Sequence, residues 1–134
     1  MAHDFKAFPE LRNNQMELYY WESPHKQIFE DIFAKVIRVK DGDTVQVRWQ
    51  ERDFDFPVRL VDIQAPELKE GGLESGQWLR QRIEGQEVDI LVNPKNRVGR
   101  WGRLIGDIIH GGESMSEASI REGHSVPFEV EAVI

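Results

Sequence analysis

The chain contains no cysteine among its 134 residues, which excludes disulfide bonds and thiolate metal sites. It also lacks any apolar run near the ~20 residues that a membrane-spanning helix requires. Its first residues, MAHDFKAFPELRNN, contain no apolar stretch of the kind found in signal peptides. We therefore expect one domain, located in the cytoplasm or in a particle assembled there, without a membrane partner.

Positive charge is also scarce, because 17 lysines and arginines stand against 24 aspartates and glutamates, for a net charge of −7. This balance argues against strong non-specific binding of nucleic acids, which depends on basic groups that displace counterions from phosphates. The exception is the stretch 93–104, NPKNRVGRWGRL, which has four basic residues and no acidic one. We expect Lys95, Arg97 and Arg100 to contact a nucleic acid there. The ring of Trp101 could stack on a base or pack within the loop.

Three segments can be distinguished by composition. Residues 1–31 form an N-terminal extension that is acidic and aromatic and has little periodicity. This arm could pack over the surface of its own domain, or its aromatic side chains could anchor a partner protein. A folded domain is predicted over residues 32–128, and residues 129–134 form a C-terminal tail.

Within the domain, alternating apolar residues predict strands and a 3.6-residue period predicts helices. Ser114 or Ser116 could cap the last helix, which would end after Arg121. Five strands in a meander interrupted by one helix can close into a small barrel, which removes exposed strand edges. The expected class is α+β, mainly β. The predicted strands are 33–40, 44–49, 54–63, 87–92 and 103–111, and the first predicted helix is 71–85.

Three short motifs carry polar residues at the ends of these strands. The first is DGDT, in which Asp41 and Asp43 flank a glycine before Thr44. Taken alone, this motif is ordinary turn chemistry. An EF-hand loop is a poor alternative, because Gly42 falls too early and no acidic residue follows at the required spacing.

The second motif is VRLVDIQAPE, residues 58–67, and the third is WGRL, residues 101–104. Taken singly, Arg59 could form an ion pair with a neighbouring strand, and Glu67 could be a solvated carboxylate. Arg103 could likewise be an exposed arginine beside a turn, where Gly102 allows the backbone to approach a neighbour closely.

Taken together, the three motifs in this order resemble the staphylococcal nuclease family. The helix that follows the second motif and the final helix of the chain match the plan of that family as well. The resemblance covers roughly residues 33–125 and leaves the N-terminal arm unmatched. It implies an OB-type fold, a five-stranded β-barrel with two or more helices.

The resemblance also implies a site for Ca²⁺ and a phosphodiester. Calcium would be held by the side chains at positions 43 and 64 and by one backbone carbonyl. Two arginines would clamp the phosphate, and a glutamate would activate the attacking water. The matching residues here are Asp43, Gln64 and the carbonyl of Ala65 for the metal, and Arg59, Arg103 and Glu67 for catalysis.

One position departs from the family pattern, because Gln64 stands where the family has a carboxylate ligand. An amide oxygen can coordinate calcium, but the site loses one negative charge and we expect weaker calcium binding. Asp62, two residues earlier on the same predicted strand face, or Asp41 could compensate for that charge.

Two functions follow from these observations. The first is a calcium-dependent nuclease that hydrolyses phosphodiester bonds of DNA, and also of RNA, with little sequence preference. The second is a non-catalytic binding or structural module of a larger assembly, docked through its N-terminal arm. The second is favoured by Gln64, by the acidic balance and by the short C-terminus, where Phe128 is the only aromatic residue.

Overall fold

A computed structural model describes residues 4–5, 8–64, 72–99 and 102–127, with the backbone alone for Gln64. The strands are β1 (Ile32–Val39), β2 (Thr44–Arg48), β3 (Phe56–Leu60), β4 (Ile63–Gln64), β5 (Glu87–Leu91), β6 (Leu104–His110), β7 (Glu113–Ser114) and β8 (Val126–Pro127). The α-helices are α1 (Met16–Tyr19), α2 (Gly72–Ile83) and α3 (Met115–Arg121). Short 3₁₀ turns at Asn13–Gln15 and Tyr20–Glu22 flank α1.

Strand β3 shows how the sequence pattern becomes structure. Phe56, Val58 and Leu60 are completely buried, whereas Pro57 and Arg59 between them are partly exposed. This period of two is what a strand with one face against a core requires. The predicted alternation is confirmed, and it places Arg59 on the face that points away from the core.

A five-stranded mixed barrel is formed by β3-β2-β1-β5-β6, which closes because β3 also pairs with β6. The closing pair is parallel, with Val58 beside Leu104 and Leu60 beside Gly106. The other four pairings are antiparallel. Closure gives the barrel strands partners on both sides and removes the exposed edges. The predicted α+β barrel with helices, consistent with an OB-type fold, is confirmed.

The helices complete the core. Leu79 and Ile83, predicted as the buried positions of the first helix, are fully buried on α2. Met115 and Ala118 of α3 join the same apolar cluster. The side chain of Ser114 accepts a hydrogen bond from the Glu117 amide at 3.2 Å and caps α3, as one of the two predicted alternatives.

Four short elements were not predicted: β4, β7, β8 and α1. Strands β4 and β8 pair through Ile63 with Pro127 and Gln64 with Val126. Two-residue strands and a single helical turn are too short to show a periodic pattern. The β4–β8 pair forms because folding brings residues distant in the sequence side by side.

The N-terminal arm packs on the barrel in part, around Leu11 and Ile28, whereas residues 13–22 are not buried. Leu11 and Ile28 are at most 2% exposed, and Ile28 belongs to the main core cluster. Gln27 holds the arm against itself, donating to the Pro9 carbonyl at 2.9 Å and accepting from the Leu11 amide at 2.6 Å. The structure thus supports the alternative in which the arm covers its own domain. No helix in the described ranges is long and apolar enough to cross a membrane.

His25 joins two parts of the arm through one ring nitrogen. Its Nε2 lies 2.7 Å from the Pro9 carbonyl, and it must donate there because a carbonyl can only accept. The Nδ1 atom is buried, with no hydrogen-bond partner among the described residues. Protonating Nδ1 would therefore bury an unpaired charged donor. Desolvation accordingly lowers the pKa of His25 below its ordinary value of 6.5.

Because of His25, we expect the protein to be less stable in mild acid. The unfolded chain binds the proton more tightly than the folded chain, so the free energy of unfolding falls as the pH drops below about 6.5. Urea unfolding curves at pH 7.5 and pH 5.5 measure the difference. His25→Gln, which can still donate to Pro9, should show a smaller loss over the same interval. An equal loss in both proteins would contradict this assignment.

Candidate active site

Strand register brings the first and second motifs together. Thr44, at the start of β2, lies directly opposite Arg59 on β3, and the Leu60 amide donates to the Asp43 carbonyl at 2.8 Å. Arg59 is also in register with Ile105 on β6, two residues after Arg103. The closing pair β3–β6 therefore brings the third motif to the same end of the barrel.

The side chains of Asp43 and Thr44 form the centre of this cluster. The Thr44 hydroxyl donates to Asp43 Oδ1 at 2.9 Å, and the Arg59 guanidinium lies 3.6 Å from Asp43 Oδ2. Arg103 Nη1 lies 3.5 Å from the Thr44 hydroxyl oxygen, at the outer limit of a hydrogen bond. Both arginines predicted to clamp a phosphate thus converge on the Asp43–Thr44 pair.

Arg59 is held in place by the turn that follows β3. Its Nη1 donates to the carbonyls of Leu60 and Ile63, each at 3.0 Å. These two bonds fix the guanidinium before any ligand binds, which lowers the entropic cost of using it. Asp62 lies within that turn, exposed and with a left-handed φ of 59°. It is a turn residue outside the strands, so the prediction that it shares a strand face with Gln64 is wrong.

Arg103 has unused hydrogen-bonding capacity. Its Nε is buried, with no hydrogen-bond partner in the described part of the chain. The residue as a whole is only partly buried, so the rest of its guanidinium can meet an anionic ligand. The arrangement leaves one guanidinium anchored by carbonyls and a second one open to an anionic ligand.

Negative charge is concentrated beside the two arginines. The Asp43 amide donates to Asp41 Oδ1 at 3.0 Å, which closes the turn before β2. Partial burial of the Asp41 carboxyl, and then its hydrogen bond with the Asp43 side chain, raise the pKa of Asp41 above its ordinary value. Two acidic side chains at one turn disfavour each other's charged form, and a bound cation nearby would favour it.

The carboxylate oxygens described at this site are of the type that binds calcium. Carboxylate oxygens are the hard ligands that calcium prefers, and Asp43 presents its carboxylate at a barrel end beside a second acidic group. Across the described ranges there is no cluster of three or more acidic or histidine side chains suited to a metal. The other implied ligands, the Gln64 side chain and the Ala65 carbonyl, lie outside the described residues.

The basic loop is divided by the fold. Lys95 is exposed, so it stays a candidate for contacting a nucleic acid. Arg97 is 1% exposed and forms an ion pair with Glu10 at 3.0 Å. The prediction that Arg97 contacts a nucleic acid does not agree with this position, because a fully buried guanidinium cannot reach a phosphate backbone. Arg100, Trp101 and Glu67 lie outside the described residues.

The buried ion pairs of the arm were missed by sequence reasoning. Glu10 is 1% exposed and contacts both Arg97 and Arg52. Nothing local to FPELRN distinguishes this glutamate from a solvated one. Gly102 was singled out for close backbone approach, and this is confirmed, because a Cβ on Gly102 would lie 2.9 Å from the Cβ of Phe8.

Comparison with known proteins identifies a family whose matched region includes both site arginines. A family model described as "Staphylococcal nuclease homologue" matches residues 57–132, more than half of the chain. That range contains Arg59 and Arg103, while Asp43, Thr44 and the N-terminal arm precede it.

Individual relatives are similar over shorter or longer stretches. A protein named "Uncharacterized endonuclease" from Escherichia coli O157:H7 is 29% identical over 104 residues, covering 74% of this chain and 63% of the relative. A "Micrococcal nuclease" from Shigella flexneri is 36% identical over 80 residues, covering 57% of this chain and 41% of the relative. The chain thus spans less than two thirds of the length of these curated relatives.

Proposed function

Because this chain belongs to the staphylococcal nuclease family, we propose that it is a calcium-dependent nuclease that hydrolyses phosphodiester bonds of DNA and RNA with little sequence preference. The observation that carries the proposal is the convergence of Arg59 and Arg103 on the Asp43–Thr44 pair. The names of the relatives, endonuclease and micrococcal nuclease, support the same reaction class.

Among the described residues, Arg59 and Arg103 would contribute most to stabilising the transition state of hydrolysis. Hydrolysis of a phosphodiester concentrates negative charge on the phosphoryl oxygens in the transition state. Fixed guanidinium donors aimed at those oxygens stabilise this charge without reorganising. Arg59 is fixed by the carbonyls of Leu60 and Ile63, and the Arg103 guanidinium is held only by a long contact to Thr44 among the described residues.

The remaining roles rest on the family resemblance. Glu67 would take the proton from the attacking water as a general base. Calcium, when bound by Asp43, Gln64 and the Ala65 carbonyl, would supply further stabilisation of the phosphoryl charge. Thr44 would hold Asp43 in the orientation that faces both the metal and Arg59, through its hydrogen bond to Oδ1.

A cleavage assay tests this function. The protein should degrade plasmid and single-stranded DNA with calcium, and the activity should disappear on adding a chelator. Magnesium should support less cleavage, because it demands a tighter octahedral shell. Glu67→Gln should abolish cleavage, whereas Glu87→Gln, at an exposed position of β5, should not. A protein that leaves both substrates intact at saturating calcium would refute the proposal.

A second candidate function, protein binding, is favoured by a surface that includes the end of the arm. Trp21 is 90% exposed, and beside it a groove of about 810 Å³ is lined by Tyr20, Phe29 and Phe33. The charged side chains that line the groove are Glu30, Asp31, Glu51 and Lys26, with a net negative charge. Aromatic anchors with an acidic lining suit a basic, apolar segment of a partner protein.

The same preparations separate the two functions. A labelled peptide that alternates lysine or arginine with leucine serves as a probe of this groove. Saturable binding of the peptide by a protein that leaves DNA intact with calcium would favour the binding function. Calcium-dependent cleavage without peptide binding would rule the binding function out.

A further inference from the structure

The loop that carries Arg103 is held by the N-terminal arm through Arg97. The Arg97 guanidinium forms an ion pair with Glu10 at 3.0 Å and donates to the Ile28 carbonyl at 3.1 Å. It also donates to the Leu11 carbonyl. All three partners belong to the arm, so the side chain of Arg97 is inserted into the arm and ties the loop to it.

Packing reinforces these polar contacts. The guanidinium of Arg97 lies 4.1 Å from the ring centroid of Phe29, within the range of a cation–π interaction. The side chains of Arg97, Glu10 and Arg52 are all 0% exposed. Water therefore cannot replace a lost partner in this cluster, and the contacts are costly to break.

Backbone hydrogen bonds connect Arg97 to Arg103 across the loop. The Gly99 amide donates to the Arg103 carbonyl at 2.8 Å, and the Ile105 amide donates to the Arg97 carbonyl at 2.8 Å. The two arginines thus stand on opposite sides of a narrow loop that closes onto β6. A shift of the Arg97 side would be transmitted to the Arg103 side through these bonds.

A second contact joins the arm to this loop directly beside Arg103. Gly102 has a φ of +69°, and a Cβ there would lie 2.9 Å from the Phe8 Cβ and 3.2 Å from the Glu10 carbonyl oxygen. The backbone of the arm therefore lies against the residue that precedes Arg103. Only glycine permits both this conformation and this approach without strain.

We propose that Glu10 is a positioning residue, which acts through Arg97 to hold the loop that places Arg103 against the phosphate. The inference rests on the proposed nuclease function. The family match over 57–132 contains Arg97 and Arg103 but excludes Glu10, Leu11 and Phe8. The arm thus supplies from outside the matched region a support for an arginine that lies within it.

The test compares two conservative substitutions in the same buried cluster. Arg97→Lys keeps a positive charge for Glu10 but loses the fork that reaches Leu11 and Ile28. Arg52→Lys is the matched control, since Arg52 contacts Glu10 and the Lys26 carbonyl and has no described contact with the loop. Thermal unfolding establishes how far each variant is destabilised.

Two readouts are expected to separate the variants. Hydrogen–deuterium exchange over 97–105 should be faster in Arg97→Lys than in Arg52→Lys at the same distance from each melting temperature. The kcat for DNA hydrolysis should fall by about 10- to 100-fold in Arg97→Lys, as expected for a misplaced catalytic group, with a smaller change in KM. Arg52→Lys should keep near wild-type kcat.

Each result decides a different point. Unchanged exchange over 97–105 in Arg97→Lys would overturn the positioning role, as would equal losses of kcat in both variants. If the wild-type protein cleaves no DNA, the nuclease function fails, and the exchange data still decide whether the arm holds the loop.

If the two lysine variants do not fold, a pair of less disruptive substitutions tests the same proposal. Phe29→Leu removes the ring over Arg97, and Phe54→Leu removes a ring 5.5 Å from the guanidinium of Arg52. Phe29→Leu should accelerate exchange over 97–105 more than Phe54→Leu does. The opposite order would count against the proposal.

Discussion

Arg103→Lys is expected to reduce kcat for phosphodiester hydrolysis by about 100- to 1000-fold, the usual cost of removing one preorganised donor to a developing oxyanion. Lysine keeps the charge but lacks the planar fork that can engage two phosphoryl oxygens. The described hydrogen bond of the Arg103 side chain is a long one, 3.5 Å from the Thr44 hydroxyl. The free energy of unfolding should therefore change by less than about 1 kcal/mol.

Steady-state kinetics on a defined DNA substrate, together with urea unfolding, measure both quantities. Arg48→Lys is the control, because Arg48 is an exposed arginine whose Nε lies 2.9 Å from Asp55 on the outside of the barrel. That variant should keep wild-type kcat. If Arg103→Lys also kept it, Arg103 would not contact the phosphate and the proposed site would be wrong.

The second large effect concerns stability. Glu10→Ala is expected to lower the free energy of unfolding by about 3–5 kcal/mol, because it leaves buried charge without its partner. Two guanidinium groups, those of Arg52 and Arg97, would remain enclosed without a carboxylate. Burial already lowers the pKa of both arginines, so their charged forms depend on Glu10.

Urea unfolding at pH 7 measures this loss. Glu51→Ala is the matched control, since Glu51 is 55% exposed and pairs with Lys26 at 3.5 Å on the surface. Removing such a pair should cost less than about 1 kcal/mol. Equal effects of the two substitutions would mean that the arm does not enclose Glu10 in solution.

The strands of the barrel were predictable because their pattern is local. Val45 and Val47 alternate with polar residues on β2, as Val58 and Leu60 do on β3, and a strand with one buried face requires that period. The boundaries differ by a few residues, and Arg103 lies just before β6 instead of within it. Closure of the strands into a barrel was expected from the resemblance, and it depends on the pairing of β3 with β6.

The candidate site was predictable to the extent that it consists of motifs at strand ends. Asp43, Arg59 and Arg103 were named from the sequence, and their side chains are brought together by the register of β2, β3 and β6. Lys95 and Arg97 could not be distinguished by composition, because both lie in the same basic stretch. One is exposed and the other is buried against Glu10.

By itself, the amino-acid sequence determined the barrel strands and the two longer helices, since periodicity is a property of neighbouring residues. Asp43, Arg59 and Arg103 were chosen because three motifs in the sequence resemble those of the nuclease family. Only the tertiary structure decided the use of Arg97 and the place of the arm. The partners of Arg97 lie 69 to 87 residues away in the chain. A charged side chain that folding buries away from water needs a partner within the protein and cannot bind a ligand. The neighbouring sequence does not show which charged side chains will be buried.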